Sequence, residues 1–276
     1  MHMRLLACQI AVPAMRTAQE RDRHNQRVAD RIDARLERRQ ADLVALPELS
    51  GIDYSDAAFG SLATLAESLD GPSFEIYSAL ARRHATPICY GIARCSTGAY
   101  FITQVVVGSD GERIGYYDKI HLAQLGASRE RESFVAGHEL LLFEVAGLRI
   151  APLICYDLRF PELWRRLCVS EGATLILHAV AFARDETYWS WHHFVIARAL
   201  ENQVYCLSLN RAGSDYGGSL WCPPWCDADA PPEVFGEGEE LRLIEFDPHR
   251  VAAIRERYPL LRDRRTDYAD LPVAGR

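Results

Sequence analysis

Lysine is nearly absent from this chain of 276 residues. Of its 31 lysines and arginines, only Lys119 is a lysine. Arginine serves wherever a fixed positive charge suffices, so the position that keeps a compact ammonium is marked as having a specific need. Also missing is any apolar run near the roughly 18 residues that a membrane span requires. The N-terminal MHMRLLACQIAV has neither a cationic leader of useful length nor a small-residue cleavage site, so a cytoplasmic protein is expected. Net charge is −7, and the arginine-rich stretches from Arg16 to Arg39 and Arg255 to Arg265 are interleaved with acids, which argues against a nucleic-acid partner. At 49% hydrophobic and 25% charged, the composition is that of a folded globular chain.

Metal-ligand patterns are missing as well. Most of the eight cysteines fall singly in or beside apolar runs, where a free thiol packs as a small hydrophobe. Cys222 and Cys226, in WCPPWC, stand closer together, but two prolines separate them and no second Cys or His pair follows at finger-like spacing. His192 and His193 are adjacent on a predicted helix, about 100° apart, and cannot chelate one ion together. No metal, no organic cofactor and no disulfide framework is expected.

What is present is an alternation of apolar runs and amphipathic stretches. Arg4 to Val12 reads as a buried strand, and Thr17 to Gln40 as a helix with Val28, Ile32 and Leu36 on one face. Leu43 to Leu46 is a second strand, broken by Pro47. The turn at Asp70 opens a helix through Ile76, Leu80 and Ala81, and PICYGIAR returns as a strand. FITQVVV and RIGYYDK form a hairpin across GSDGE, and a second hairpin runs from Leu140 to Ile154 across Ala146–Gly147. Then follow a helix from Pro161, the strand TLILHAVA, a helix from Glu186 to Glu201, the strand VYCLSLN, the strand ELRLIEF and the helix PHRVAAIRER. Strands joined by both helices and hairpins predict an α/β sandwich, with a mixed sheet covered by helices. Gly217 to Gly238, rich in Gly and Pro, reads as an irregular loop. No linker-like composition and no repeat divides residues 1–276, so a single domain is expected.

Two of the strands end alike, delivering a reactive side chain at the carboxyl edge where α/β folds bind ligands. Glu48 follows Leu43 to Leu46, and Cys155 follows Ile150 to Ile154. Each has a commoner explanation alone: a strand-end Glu as a solvated loop residue, a Lys after a hairpin as surface, a Cys after a strand as packing. Together they make a chemical set. A thiol needs a base, which a Glu of raised pKa supplies, and a developing oxyanion needs a fixed positive charge and N–H donors, which Lys119 and the Tyr156 amide supply.

These residues carry a resemblance. LPELS at Glu48, YYDKIHL at Lys119 and LICYDLRFPE at Cys155 resemble the three blocks of the nitrilase superfamily of carbon–nitrogen hydrolases, in the same order. The likeness continues through AFARDETYWSWHHFVIARALENQVYCLSLNRAGSD to YPLLRDRRTDY. It implies a four-layer α-β-β-α sandwich with mixed sheets and a Glu–Lys–Cys triad. A second glutamate is also implied, seven residues before a glycine; Glu130 stands so before Gly137, with Glu132 as the alternative. The residues after the cysteine, Tyr156–Asp157–Leu158–Arg159–Phe160, differ from the Trp–Glu pair of true nitrilases and resemble the amidase branches. Among these are the ω-amidases of 2-oxo acid amides and the deaminated-glutathione amidases; N-carbamoyl hydrolysis is a further alternative. After NRAGSD, YGGS closes at once where the family inserts residues, which changes the pocket rim.

The expected substrate is thus a small linear amide bearing a carboxylate, with Tyr54, Tyr156, Phe182 and Arg159 as contacts and Arg129 and Arg184 at the rim. His121 is expected to be a structural hydrogen-bonding residue. Trp189, Trp191 and Phe194 on the helix leading to Arg198 predict an apolar contact face and a homodimer or larger assembly.

Overall fold

The structure, a computed structural model, describes residues 2–126 and 128–275. The first half of the chain contains β1 (Met3–Gln9), α1 (Ala18–Arg38), β2 (Leu43–Ala45), the one-turn helices α2 (Asp56–Phe59) and α3 (Leu62–Leu65), α4 (Pro72–His84), and β3 (Ile88–Ser96), β4 (Ala99–Val107) and β5 (Arg113–Asp118). The second half contains β6 (Phe143–Val145), β7 (Leu148–Ile154), α5 (Pro161–Arg165), β8 (Leu175–Ala179), α6 (Tyr188–Asn202), β9 (Tyr205–Leu209), β10 (Leu220–Cys222), β11 (Glu233–Val234), β12 (Glu240–Phe246) and α7 (Arg250–Arg257).

Local chemistry fixes these boundaries. Thr17 caps α1 through a capping box, its hydroxyl accepting from the Glu20 N–H at 3.3 Å while the Glu20 carboxylate accepts from the Thr17 N–H at 3.0 Å. Pro72 and Pro161 each open a helix, where the lost N–H has no intrahelical role. The β6–β7 turn puts both Ala146 and Gly147 at positive φ, the geometry that matches the twist of a two-residue hairpin.

The strands form two six-stranded sheets, ordered β12-β1-β2-β3-β4-β5 and β11-β10-β9-β8-β7-β6. Each has a parallel centre, β1-β2-β3 in one and β7-β8-β9 in the other, with antiparallel flanks. Alternate side chains of one strand serve different cores. Leu5, Ala7, Leu43 and Ala45 face Ile150, Leu175, Leu177 and Leu207 between the sheets. Leu6, Cys8, Val44 and Ile88 point outward onto Val28, Ile32 and Leu36 of α1 and Leu80 of α4. On the far side, Ala151, Leu153, Ile176 and Cys206 pack under Trp164 and the Trp191–Val195–Ala199 row of α6. The result is the four-layer sandwich.

The two mixed sheets are those the resemblance implies; the single mixed sheet read from periodicity alone needs correction, since an apolar run buried on both faces reads the same wherever its sheet sits. The stretch from Gly217 to Gly238 is also not wholly irregular: it holds β10 and β11, which extend the second sheet by pairing Leu220–Cys222 with Cys206–Ser208 and Leu220–Trp221 with Glu233–Val234. Three- and two-residue strands amid Gly and Pro leave too short a period to detect.

Candidate active site

The carboxyl edges of both parallel centres meet at one place. Beyond β2, Glu48 is fully buried; its Oε1 accepts from Lys119 Nζ at 2.7 Å and its Oε2 from the Ala181 N–H at 2.8 Å. Since Ala181 follows β8, this one carboxylate joins the two sheets. Lys119, directly after β5 and equally buried, also donates to Glu130 Oε1 at 2.6 Å. Glu130 opens a one-turn 3-10 helix, where its Oε1 further accepts from the Tyr54 hydroxyl at 2.7 Å and its Oε2 from the Ala123 N–H at 2.8 Å. The alternative, Glu132, faces outward and pairs with Gln124.

Two carboxylates thus share one ammonium in a water-excluded space, leaving one negative charge in excess. Burial, reinforced by Glu130's charge, raises the Glu48 pKa above the ordinary carboxylate value in spite of Lys119. Burial works against the Lys119 ammonium, but Glu130 and Glu48 outweigh it and hold that group protonated.

Cys155 follows β7 directly at a non-glycine φ of 40°, a left-handed turn that lifts the residue off the strand and starts a 3-10 turn, Cys155–Arg159. Burial and then the charge of Glu48 push its thiol pKa well up, with Lys119 opposing. A thiol so held needs a base to ionise it. The turn is pinned from two directions. Asp157, fully buried, accepts from the Tyr117 hydroxyl at 2.7 Å, the Ile154 N–H at 3.1 Å, the His121 N–H at 3.1 Å and His121 Nδ1 at 2.8 Å. His178 Nε2 meets the Cys155 carbonyl at 2.9 Å, and its Nδ1 meets Ser208 Oγ at 2.8 Å. Because the Trp191 indole N–H donates to that same hydroxyl at 2.9 Å, the Ser208 O–H donates its hydrogen bond to Nδ1, and His178 donates from Nε2 as the neutral tautomer. Burial keeps it neutral by lowering its pKa to about 4.

Above Cys155 lies an open cleft whose walls include Tyr54, Tyr156, Arg159, Phe182, Asp185 and Tyr216. All four expected contact residues therefore reach it. Phe182 stacks on Trp191 with centroids 5.2 Å apart. Arg159 donates to Ser190 Oγ at 2.9 Å and lies over the Phe194 ring at 4.5 Å. Among the described residues it is the one cation in the lining, because the other two expected arginines turn elsewhere. Arg184 pairs with Glu237 at 3.0 Å, and Arg129 bonds the carbonyls of Gly126 and Ser128. The tight YGGS rim is built on glycine: a Cβ on Gly217 or Gly218 would come within 2.5 Å of Glu237 Cα or the Tyr188 hydroxyl, and both have positive φ.

The expected apolar face on α6 divides in the structure. Trp191 is core, while Trp189 is 83% exposed and Phe194 is half-buried. Residues the sequence reading passed over matter as well. Arg211, buried, donates to the Glu48 and Leu49 carbonyls at 3.1 and 2.7 Å and to Ile52 at 2.7 Å, fixing the loop that carries Glu48. Asn210 exchanges two hydrogen bonds with the Phe182 backbone. Both follow β9, a third parallel strand ending in polar residues at the same edge, and that was the available signal.

Residues 6–256 match the family model for carbon–nitrogen hydrolases. The chain belongs to the carbon–nitrogen hydrolase family. It is similar to a 2-oxoglutaramate amidase of Bacillus subtilis, 32% identical over 241 residues that span 84% of this chain and 88% of that protein. Similar too is the omega-amidase NIT2-A of Xenopus laevis, 30% identical over 82% of this chain and 84% of that one. Among solved structures, the CN-hydrolase superfamily protein XC1258 of Xanthomonas campestris, with an arsenic adduct in its active site, aligns with a TM-score of 0.79 and 26% identity, covering 96% of this chain and 98% of its own. Nit3 of Saccharomyces cerevisiae, from branch 10 of the nitrilase superfamily, shares the fold with a TM-score of 0.80 at 24% identity, over 96% and 97% of the two chains. This hydrolase is accordingly a carbon–nitrogen hydrolase acting on non-peptide amide bonds. Among the described residues no helix is long and apolar enough to cross a membrane.

Proposed function

We propose that this hydrolase cleaves a small linear carboxylate-bearing amide, of the 2-oxo acid amide type, through a thioester on Cys155. The observation that carries the reading is the buried Glu48–Lys119–Glu130 array set against a cysteine whose thiol needs a base. Glu48 takes the thiol proton as sulfur attacks the carbonyl carbon. Lys119 and the Tyr156 N–H hold the oxyanion, each donor contributing on the order of 3 kcal/mol. As the C–N bond breaks, Glu48 returns the proton to nitrogen and ammonia leaves. Glu48 then deprotonates water, which attacks the thioester; the C–S bond breaks and the thiol is reprotonated. Glu130 keeps Lys119 charged and aimed.

The carboxylate preference rests on Arg159 as the cation of the cleft and on the names of the two amidase relatives. The rest of the reading is one domain, located in the cytoplasm and assembled as a homodimer or larger through a face that includes the exposed Trp189. An ammonia-release screen over 2-oxoglutaramate, its decarboxylated analogue, N-carbamoyl amino acids and nitriles tests the substrate class. A preference of at least about tenfold in kcat/KM for the carboxylate-bearing amide is expected from one desolvated charge pair. Equal values for the two amides would remove the anion-binding argument. Cys155→Ala is expected to stay folded and lose all turnover; retained turnover would remove Cys155 from the reaction. Light scattering that shows only a monomer at micromolar concentration would contradict the assembly.

A further inference from the structure

The hydrolysis uses one cysteine, yet a second thiol chemistry is built elsewhere. Cys222 is the last residue of β10 and fully buried, with Cys206 of β9 opposite it in the sheet. Four residues on, after a Pro–Pro–Trp turn, Cys226 comes back to place its Sγ 3.7 Å from Cys222 Sγ. Cys222 Sγ also lies 3.7 Å from the Pro223 carbonyl. Cys226 is partly exposed, so it is the member of the pair that solvent reaches.

The turn is held in this shape by its surroundings. Trp225 stacks on Tyr258 just beyond α7, with centroids 4.1 Å apart and planes 15° from parallel. Arg250 of α7 reaches the Trp225 carbonyl at 3.4 Å and Asp227 at 3.9 Å. Two thiols alone do not make a zinc site, which needs four donors or three with an open position. Among the described residues no group of three or more His, Cys, Asp or Glu is arranged to hold a metal ion. What two adjacent thiols with one solvent-facing member can do is close on each other.

We propose that Cys222 and Cys226 form a dithiol site that a peroxide-class oxidant converts to an intramolecular disulfide, separate from Cys155 and independent of the amide reaction. Cys226 Sγ attacks a peroxide oxygen; the O–O bond breaks, leaving a sulfenic acid on Cys226 and one water. Cys222 Sγ then attacks the Cys226 sulfur, the S–O bond breaks, and a second water leaves. Two thiols lose two protons and two electrons, and one peroxide becomes two waters. The sulfurs, now 3.7 Å apart, must close to about 2.05 Å. The order of events agrees with the electrostatics: the Cys222 thiol, hydrogen-bonded to Cys226, lowers the Cys226 pKa, and that same contact followed by burial raises its own.

Cys155→Ala protein, which lacks the competing nucleophile, is treated with stoichiometric hydrogen peroxide, denatured, alkylated with N-ethylmaleimide and mapped by mass spectrometry. The expected result is loss of two alkylatable thiols, both assigned to Cys222 and Cys226 within one chain and both restored by dithiothreitol. In the Cys222→Ala background, which keeps an apolar group in the core, Cys226 is expected to stop as a sulfenic acid that dimedone traps. The singly substituted C222A and C226S enzymes are expected to keep wild-type amide turnover. Full alkylation of both residues at a dose that oxidises any other cysteine overturns the proposal. So does a bond formed between two chains, or failure of dimedone to label Cys226 in folded C222A protein.

Discussion

Asp157 and Glu48 are both fully buried carboxylates within the same site, and they are held in opposite ways. Asp157 accepts four hydrogen bonds, from Tyr117, Ile154 and twice from His121. Among the described residues Glu48 accepts two, from Lys119 and Ala181. Glu130 lies between them with three. A carboxylate whose lone pairs are filled by fixed donors is a strut, because protonating it would break the bonds that hold the Cys155 turn. One that is desolvated and thinly satisfied is ready to take a proton. On the proposed mechanism, donor number separates scaffold from base, although burial and charge type are alike.

The largest expected effect comes from exchanging the base. Glu48→Gln keeps the shape and removes the proton acceptor, so kcat/KM should fall about 10³-fold, equivalent to about 4 kcal/mol. The urea midpoint should move far less than in Asp157→Asn. A Glu48→Gln enzyme within tenfold of wild type would show that the thinly held carboxylate is not the base.

Asp157→Asn is the converse. It sets an NH₂ group against donors that now have no acceptor, and loss of roughly 3 kcal/mol of unfolding free energy is expected. Equilibrium urea unfolding with an unchanged slope measures it. Wild-type stability with abolished activity would invert the comparison.

How much of this was legible in the sequence follows from the same contrast. Glu48, Lys119 and Cys155 announce themselves because a reactive side chain at the end of an apolar run, or a lone lysine among arginines, departs from its local background. Asp157 stands two residues from Cys155 within the same motif, yet its task is not visible there. Its four donors come from β5, from the loop after it and from the end of β7, and only the fold brings them together. Arg211 and His178 escaped for the same reason: their partners are backbone carbonyls 162 and 23 residues away in sequence. The two-sheet architecture came from the family likeness, since periodicity cannot tell which of two sheets a doubly buried strand joins.

A third, smaller effect lies in pH. His24 and His178 both have pKa values lowered to about 4 by burial. Arg27 donates to His24 Nδ1 at 3.0 Å, so His24 is a neutral Nε2 donor to the Ser50 carbonyl, as His178 is to Cys155. The unfolded imidazoles, near 6.5, take protons first as pH falls. The stability these groups contribute is therefore complete above about pH 6.5 and is lost as pH drops toward 4. At pH 5 each histidine should have withdrawn about 2 kcal/mol. Glu48, with its raised pKa, acts in the opposite sense, so the cleanest reading is a difference: His24→Gln should lose less stability between pH 7.5 and 5 than the wild type does. Equal slopes would mean that His24 is protonated in the folded state.

The smallest effects give the sharpest form of the comparison, because the two carboxylate centres contain a matched pair of tyrosines. Tyr117 donates to Asp157 Oδ2 and Tyr54 to Glu130 Oε1, each at 2.7 Å. Phenylalanine at either position deletes one oxygen and one hydrogen bond to a charged acceptor, with about 1.5–3 kcal/mol at stake in each. At Tyr117, in the core, the loss should appear as unfolding free energy, roughly 2 kcal/mol, with kcat nearly unchanged because Asp157 keeps three donors. At Tyr54, on the cleft wall, the loss should appear as about a tenfold drop in kcat, since Glu130 holds the Lys119 ammonium that, on the proposed mechanism, faces the oxyanion. Little stability should go with it, because Ser128 Oγ, 3.0 Å from the Tyr54 hydroxyl, is near enough for water to take the vacated place. If Tyr54→Phe lowers stability and spares kcat while Tyr117→Phe does the reverse, the assignment of strut and base is the wrong way round. If both lower only stability, Glu130 is a second strut, and the array's chemistry rests on Glu48 and Lys119 alone.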